Sequence, residues 1–224
     1  MKISKIFLAS LLVLFILGVT VIVVAKLNIK HLNYDEYLNT SLYYLLPEKE
    51  YKDMYELDKI NIHNSIENLN SLSNDTEAIL IITPQKDPEF LGQGIINNCK
   101  IKKVIKGEGF KKNQIIQIYD FVAWWKMSDT AYLNGSTPLK NNTDYIVFIK
   151  KATHSNKNNT YIYSSIPYGK INISDDIQVL RNYDEANISV KKAMNYQYIF
   201  SSETDDELID IYIKNCAKLI DEYK

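Results

Sequence analysis

Thr76-Glu77-Ala78-Ile79-Leu80-Ile81-Ile82-Thr83-Pro84 (76–84) holds the run on which the fold turns. Five apolar residues, 78–82, stand in a row, several of them β-branched, and Pro84 and then Pro88 stop them. So short an unbroken run between breakers suits a strand buried on both sides better than a helix. The next segment alternates instead. Ile95, Cys99, Ile101 and Ile105 recur at period two, with Asn98, Lys100 and Lys102 between them, which predicts a half-solvated strand. Gly107-Glu108-Gly109 supplies the tight turn. Gln114–Phe121 returns as a third strand, Asp144–Ile149 reads as a fourth that is apolar on both faces, and Tyr161-Ile162-Tyr163 opens a fifth. With no helix between most of them, Thr76 to Ile166 predicts a closed antiparallel barrel or sandwich.

The flanks follow from this centre. Ile6–Ala25 is apolar except for Ser10, Gly18 and Thr20. At 1.5 Å per residue such a run spans about 30 Å, the thickness of a hydrocarbon core. It is longer than the apolar region of most cleavable signal peptides, although Val23-Val24-Ala25 would satisfy a signal peptidase. Lys2 and Lys5 precede the run and Lys26 and Lys30 follow it. A short basic tail before a first span stays cytoplasmic, which directs the rest of the chain outside. The division that results is a tail at 1–5, a transmembrane signal anchor at 6–25, a membrane-proximal stalk at 26–73, the barrel at 74–173 and a C-terminal extension at 174–224.

In the stalk, Asp35 to Leu46 and Glu48 to Leu57 predict two short helices. Asn64 with Glu67 forms a capping box for a helix through Leu72. In the extension, a strand is expected near Ile177–Leu180 and a helix or strand from Ala186 to Phe200. Thr204 with Glu207 is a second capping box, opening a helix over 204–223. Leu208, Ile209, Tyr212, Ile213, Cys216, Leu219, Ile220 and Tyr223 give that helix one wide apolar stripe that should dock on the barrel. The expected class is therefore mainly β with flanking helices (α+β).

Several of these pieces carry a resemblance. The strand closing on Val-Ile-Lys-Gly (104–107) is one, and Leu-Lys-x-x-x-x-Tyr-Ile-Val-Phe (139–148) is another. With Gly-Lys-Ile-Asn-Ile (169–173) and the lead-in helix at Asn64–Leu69, they resemble a netrin-like, tissue-inhibitor-of-metalloproteinase-like OB barrel of an exported, membrane-anchored bacterial type. The likeness covers Asn64 to Ile173. The inhibitors of that family act through an N-terminal cysteine that chelates zinc. No cysteine stands at the start of this barrel, so that mechanism does not carry over.

Chemistry is sparse. The net charge is −1 and Arg181 is the single arginine, which argues against nucleic acid as a partner. His31, His63 and His154 are scattered with no carboxylate at ligand spacing, and neither a nucleophile elbow nor a phosphate loop is present. Asp120, beside Phe121, has no nameable acid–base partner. No catalytic residue, metal or cofactor is expected. Cys99 on a strand and Cys216 on the terminal helix read either as a disulfide clamp or as two buried thiols. Trp124 and Trp125 lie in a connection, Val122–Thr137, longer than a hairpin needs. They read as a plug for the barrel end or as an aromatic surface for a protein or cell-wall partner.

The expectation that results is a single-pass exported protein, held to the membrane by residues 6–25, with a non-enzymatic binding or accessory domain at the cell surface. An envelope enzyme acting on cell-wall or peptide substrate and a structural subunit of a membrane complex are the alternatives.

Overall fold

In the computed structural model the run at 78–82 becomes strand β2 (Ala78–Pro84), and every one of its residues is buried. The structure describes residues 34–44, 61–91, 94–125, 130–133, 135–153, 159–181, 188–200 and 204–224, all within one compact unit spanning 34–224. Alternation explains the double burial of β2. Ala78, Leu80 and Ile82 point into one apolar cluster with Cys99, Ile101, Ile116, Ile118, Val147 and Ile149. Ile79 and Ile81 point the other way, into a second cluster with Phe148, Leu208, Tyr212 and Cys216. Two cores share one strand, which is why its sequence shows no polar face.

Five strands close the first core into a barrel: β2, β4 (Gly94–Lys106), β5 (Ile115–Trp125), β7 (Tyr145–Lys151) and β8 (Thr160–Tyr163). The circuit runs β2–β4–β5–β8–β7 and back to β2. Four seams are antiparallel. The fifth is not: Gln117 and Ile118 of β5 pair in parallel with Thr160 and Tyr161 of β8. The fully antiparallel barrel expected from the strand run is corrected here. Closure between the third and fifth strands in sequence brings together two that run in the same direction.

A bulge also corrects the predicted face of β4. Its register against β2 slips between Ile81 and Ile82 and again between Ile79 and Leu80. Each extra residue inverts the alternation beyond it. Ile101 therefore faces the barrel interior as expected, and Val104 packs on the same cluster, while Ile105 packs on the second core outside.

At the tip, Gly107 takes φ +122°, and a Cβ built there would stand 2.7 Å from the Ala78 Cβ. Strain and contact act together, so Gly107→Ala is expected to cost about 2 kcal/mol or more. Its urea midpoint, measured beside that of Gly109→Ala, where a Cβ would meet nothing within 4 Å, checks this.

The second core lies between the outer wall of β2–β7 and helix α5 (Asp206–Tyr223), which buries Leu208, Ile209, Tyr212, Cys216 and Leu219. The expected stripe docks as read. The helix begins one residue later than the capping box implied: Asp205, not Thr204, is the N-cap, and it makes no side-chain cap hydrogen bond. Helical residues 61–67 complete this layer. Tyr168 Oη donates to the Ile66 carbonyl at 2.6 Å, and Asn215 Nδ2 donates to the same carbonyl at 3.0 Å. Asn64 sits inside that helix rather than at its cap, and a separate short helix follows at Asn70–Asn74.

β5 outruns the barrel. Its far end, Ala123 to Trp125, pairs with β6 (Thr130–Leu133). β6 then pairs in parallel with β1 (Ser41–Tyr44), and β1 with β11 (Ile188–Ser189). The first of the two short helices expected, Asp35 to Leu46, is thus confined to Tyr34–Asn39 and gives way to a strand; the second, at 48–57, lies outside the described residues. Leu42 is fully buried in that strand. Pairing on both sides of β1 outweighs local helix propensity.

β9 (Lys170–Asn172) adds to β7. On its far side Gln197 stands in for a neighbouring strand, its Nε2 donating to the Lys170 carbonyl at 2.6 Å and its Oε1 accepting from the Asn172 N–H at 2.8 Å. In the extension, β10 (Val179–Leu180) pairs in parallel with β12 (Tyr198–Ile199), and a four-residue helix, Val190–Ala193, precedes β12. Among the described residues no helix is long and apolar enough to cross a membrane; residues 6–25 lie outside them.

Candidate functional site

The helix layer covers the β2–β7 wall of the barrel, and the outward side of β4–β5 has no such helix over it among the described elements. Alternation decides what faces out there. Cys99, Ile101, Ile116 and Ile118 point inward, so Asn98, Lys100, Gln117 and Ile115 point outward. The polar ones form a ladder across three strands that includes β3 (Glu89–Leu91). Asn98 Nδ2 donates to Glu89 Oε1 at 2.9 Å, and Gln117 Nε2 donates to Asn98 Oδ1 at 3.2 Å. Thr160 lies beside Gln117 in the parallel seam. Tyr161 and Tyr163 belong to the interior cluster, so Thr160 faces outward with Gln117. Its Oγ1 is buried with no hydrogen-bond partner among the described residues. Tyr119, opposite Ile96, extends the face with a half-buried aromatic ring. This wall carries amides, a carboxylate and a half-buried ring, with the Thr160 hydroxyl buried among them, a set suited to hydrogen-bonded recognition.

Beneath it, inside the barrel, lies the strongest electrostatic feature. Asp120, expected as a lone carboxylate, meets Lys170 of β9 at 3.4 Å, and both side chains are almost wholly buried, at 1% and 2% exposure. Asp120 Oδ2 also accepts from Asn97 Nδ2 at 3.2 Å and from the Leu139 N–H at 3.0 Å. The Lys170 ammonium stands 5.7 Å from the centre of the Tyr163 ring. Burial pulls the Lys170 pKa below its ordinary value, and the Asp120 carboxylate opposes that shift. Burial raises the Tyr163 and Cys99 groups well above theirs, and the Asp120 charge adds to both shifts. Raised that far, the Cys99 thiol is protonated and inert. Sequence reasoning missed Lys170 because a single lysine before Ile171 reads as the solvated side of a strand. The available signal was the opposite charge of Asp120 in another apolar strand.

The two cysteines lie on opposite sides of the β2–β7 wall, Cys99 in the barrel interior and Cys216 in the outer core. Both are free and buried. The disulfide clamp expected as one reading is corrected to two separate thiols, because the strands that share both cores stand between them. Cys216 is pushed up to about 12 by burial, against the pull of its Tyr212 hydrogen bond.

Trp124 and Trp125 are brought into β5, opposite Ala131 and Thr130, rather than into a loop; their side chains fall outside the described residues. His63 is in the helix at 61–67, and His31 and His154 lie outside the described residues. No cluster of three or more metal-ligating side chains occurs among the described residues. Compared with models of known protein families and with curated proteins, the chain matches none.

Proposed function

We propose that this is a membrane-anchored exported protein whose barrel is a non-enzymatic OB-like binding module of netrin-like type, working at the cell surface. The observation that carries the reading is the polar β4–β5 wall, over which no described helix lies, with its Glu89–Asn98–Gln117 ladder, opposite a wall sealed by α5. The strand circuit supports it. Numbered along the chain, the five barrel strands close in the order first, second, third, fifth, fourth, the Greek-key arrangement of an OB barrel. OB barrels take their ligands on the second and third strands, which here are β4 and β5. The apolar run at 6–25 supports the anchor, and the basic residues before it support the exported orientation. Asp120 and Lys170, the best-placed charged pair, are shut inside the barrel as an architectural element.

Ile115→Cys in the full chain tests this. The two native thiols are buried, so an impermeant maleimide reports on position 115 alone. Labelling in intact cells is the expected result, and protection until lysis would remove the exported module. A benzophenone attached at the same cysteine should then give a discrete photo-adduct that Asn98→Ala with Gln117→Ala abolishes. An adduct formed equally well from Asn142→Cys would reject the β4–β5 wall as the binding surface.

A further inference from the structure

The β4–β5 hairpin carries a charge that the rest of the chain does not share. Residues 100–112 hold six lysines, at 100, 102, 103, 106, 111 and 112, against the single acid Glu108, in a protein whose total is −1. Two of the six are engaged: Lys102 pairs with Asp144 at 2.6 Å, and Lys103 donates to the Lys224 carbonyl at 3.2 Å. Lys100, Lys106, Lys111 and Lys112 have no ion-pair partner among the described residues, and the last three are exposed. Their presentation is fixed by backbone. The Asn113 N–H donates to the Ile101 carbonyl at 2.8 Å and the Ile101 N–H to the Gln114 carbonyl at 2.9 Å. Gln114 Oε1 accepts from the Lys111 N–H at 3.0 Å, holding the turn that carries Lys111 and Lys112.

Beside these lysines sits the one large hydrophobic side chain that is exposed among the described residues, Ile115 at 48%. It lies directly across the ladder from Lys100. An isolated exposed isoleucine is ordinary. One held across from Lys100, in a hairpin that also carries Lys106, Lys111 and Lys112, has the composition of an interfacial anchor, with cations for headgroups and an apolar tip for the acyl boundary.

We propose that the β4–β5 hairpin docks on an anionic phospholipid surface through Lys100, Lys106, Lys111, Lys112 and Ile115. This rests on the membrane-anchored reading for its proximity to a bilayer. Lys100 and Ile115 stand next along the same outward face from Asn98 and Gln117, so docking brings the polar ladder to the bilayer surface. Lysine point charges, without arginine forks, suit the diffuse charge of headgroups better than base-edge recognition.

The test uses the full chain with Ile115→Cys carrying an environment-sensitive thiol dye, reconstituted in bilayers of phosphatidylcholine alone or mixed with phosphatidylglycerol. The expected result is a blue-shifted emission on the anionic bilayer only, reversed by raising the salt. Lys111→Gln with Lys112→Gln should lower the docked-to-undocked ratio about 25-fold, about fivefold for each lysine. Two exposed turn residues do not threaten folding, and circular dichroism of the pair of substitutions verifies it. An unchanged dye on both bilayers, or an equal shift on both, overturns the proposal. A shift produced by a short oligonucleotide and not by anionic lipid overturns it in favour of nucleic acid. If alkaline carbonate strips the chain from every bilayer, the anchor at 6–25 is what fails, and the dye's response to anionic vesicles added from outside still decides the docking.

Discussion

Asp120→Ala is expected to cost about 3–5 kcal/mol of folding stability, the range for breaking a buried ion pair from one side. The substitution removes three interactions at once. It leaves the Lys170 ammonium in the barrel without its counter-charge, and it orphans the Leu139 N–H and the Asn97 amide. Lys170→Met should cost less, because Asp120 keeps both of those donors. The double variant, Asp120→Leu with Lys170→Met, should recover at least half of the single-variant loss, since no buried charge remains. Urea midpoints of the parent and the three variants measure these differences. A loss below about 1 kcal/mol for Asp120→Ala would show that water reaches Lys170 and that the pair is not sealed.

The second large effect is alkaline unfolding. Tyr37, Tyr163 and Tyr212 are fully buried and their phenols are raised well above the ordinary value, chiefly by that burial. A raised folded value means that the unfolded chain gives up these protons first. The stability they contribute is whole below about pH 10 and falls as pH rises beyond it, by about 1.4 kcal/mol per unit for each group. Three such groups give a slope of about 4 kcal/mol per pH unit. Cys99 and Cys216, shifted the same way, begin to add to the decline from about pH 8.5. Lys170 works in the opposite sense. Its value is lowered, so its cost is present at neutral pH and is relieved as pH climbs toward about 10.5, but it is one group against five. Co-operative unfolding within about two units above pH 10 is the expected result, with tyrosinate absorbance and far-ultraviolet circular dichroism changing together. A smooth phenol titration with the dichroism intact would contradict the burial of all three rings.

What could be read from residues alone was the wall common to both cores. An apolar run with no polar alternation has to be covered on both sides, and β2 is covered by the barrel interior and by α5. The stripe on α5 was equally legible, since eighteen residues are enough for a 3.6-residue period to declare itself. Pairing was the part that sequence did not carry. Ser41–Tyr44 lies in a stretch that favours helix locally and becomes a strand because β6 and β11 stand on either side of it. The bulges in β4 leave no mark in its composition, so period two alone puts Ile105 on the wrong face. For the candidate site, the outward placement of Asn98 and Lys100 followed from period two. The placing of Thr160 beside Gln117 depends on a parallel seam between strands about forty residues apart, which no local pattern encodes.

The amide of Gln197 has a consequence for how this protein behaves in a crowd. A sheet that ends on an open row of N–H and C=O groups invites a foreign strand, and with it aggregation or domain exchange. On β9 the groups that such a strand would seize first, the Lys170 carbonyl and the Asn172 N–H, are already held by one side chain. A single glutamine thus acts as a stopper for this edge: it completes the pairing of β9 without offering another strand to propagate it. At this edge, two copies of the molecule can meet without zipping together.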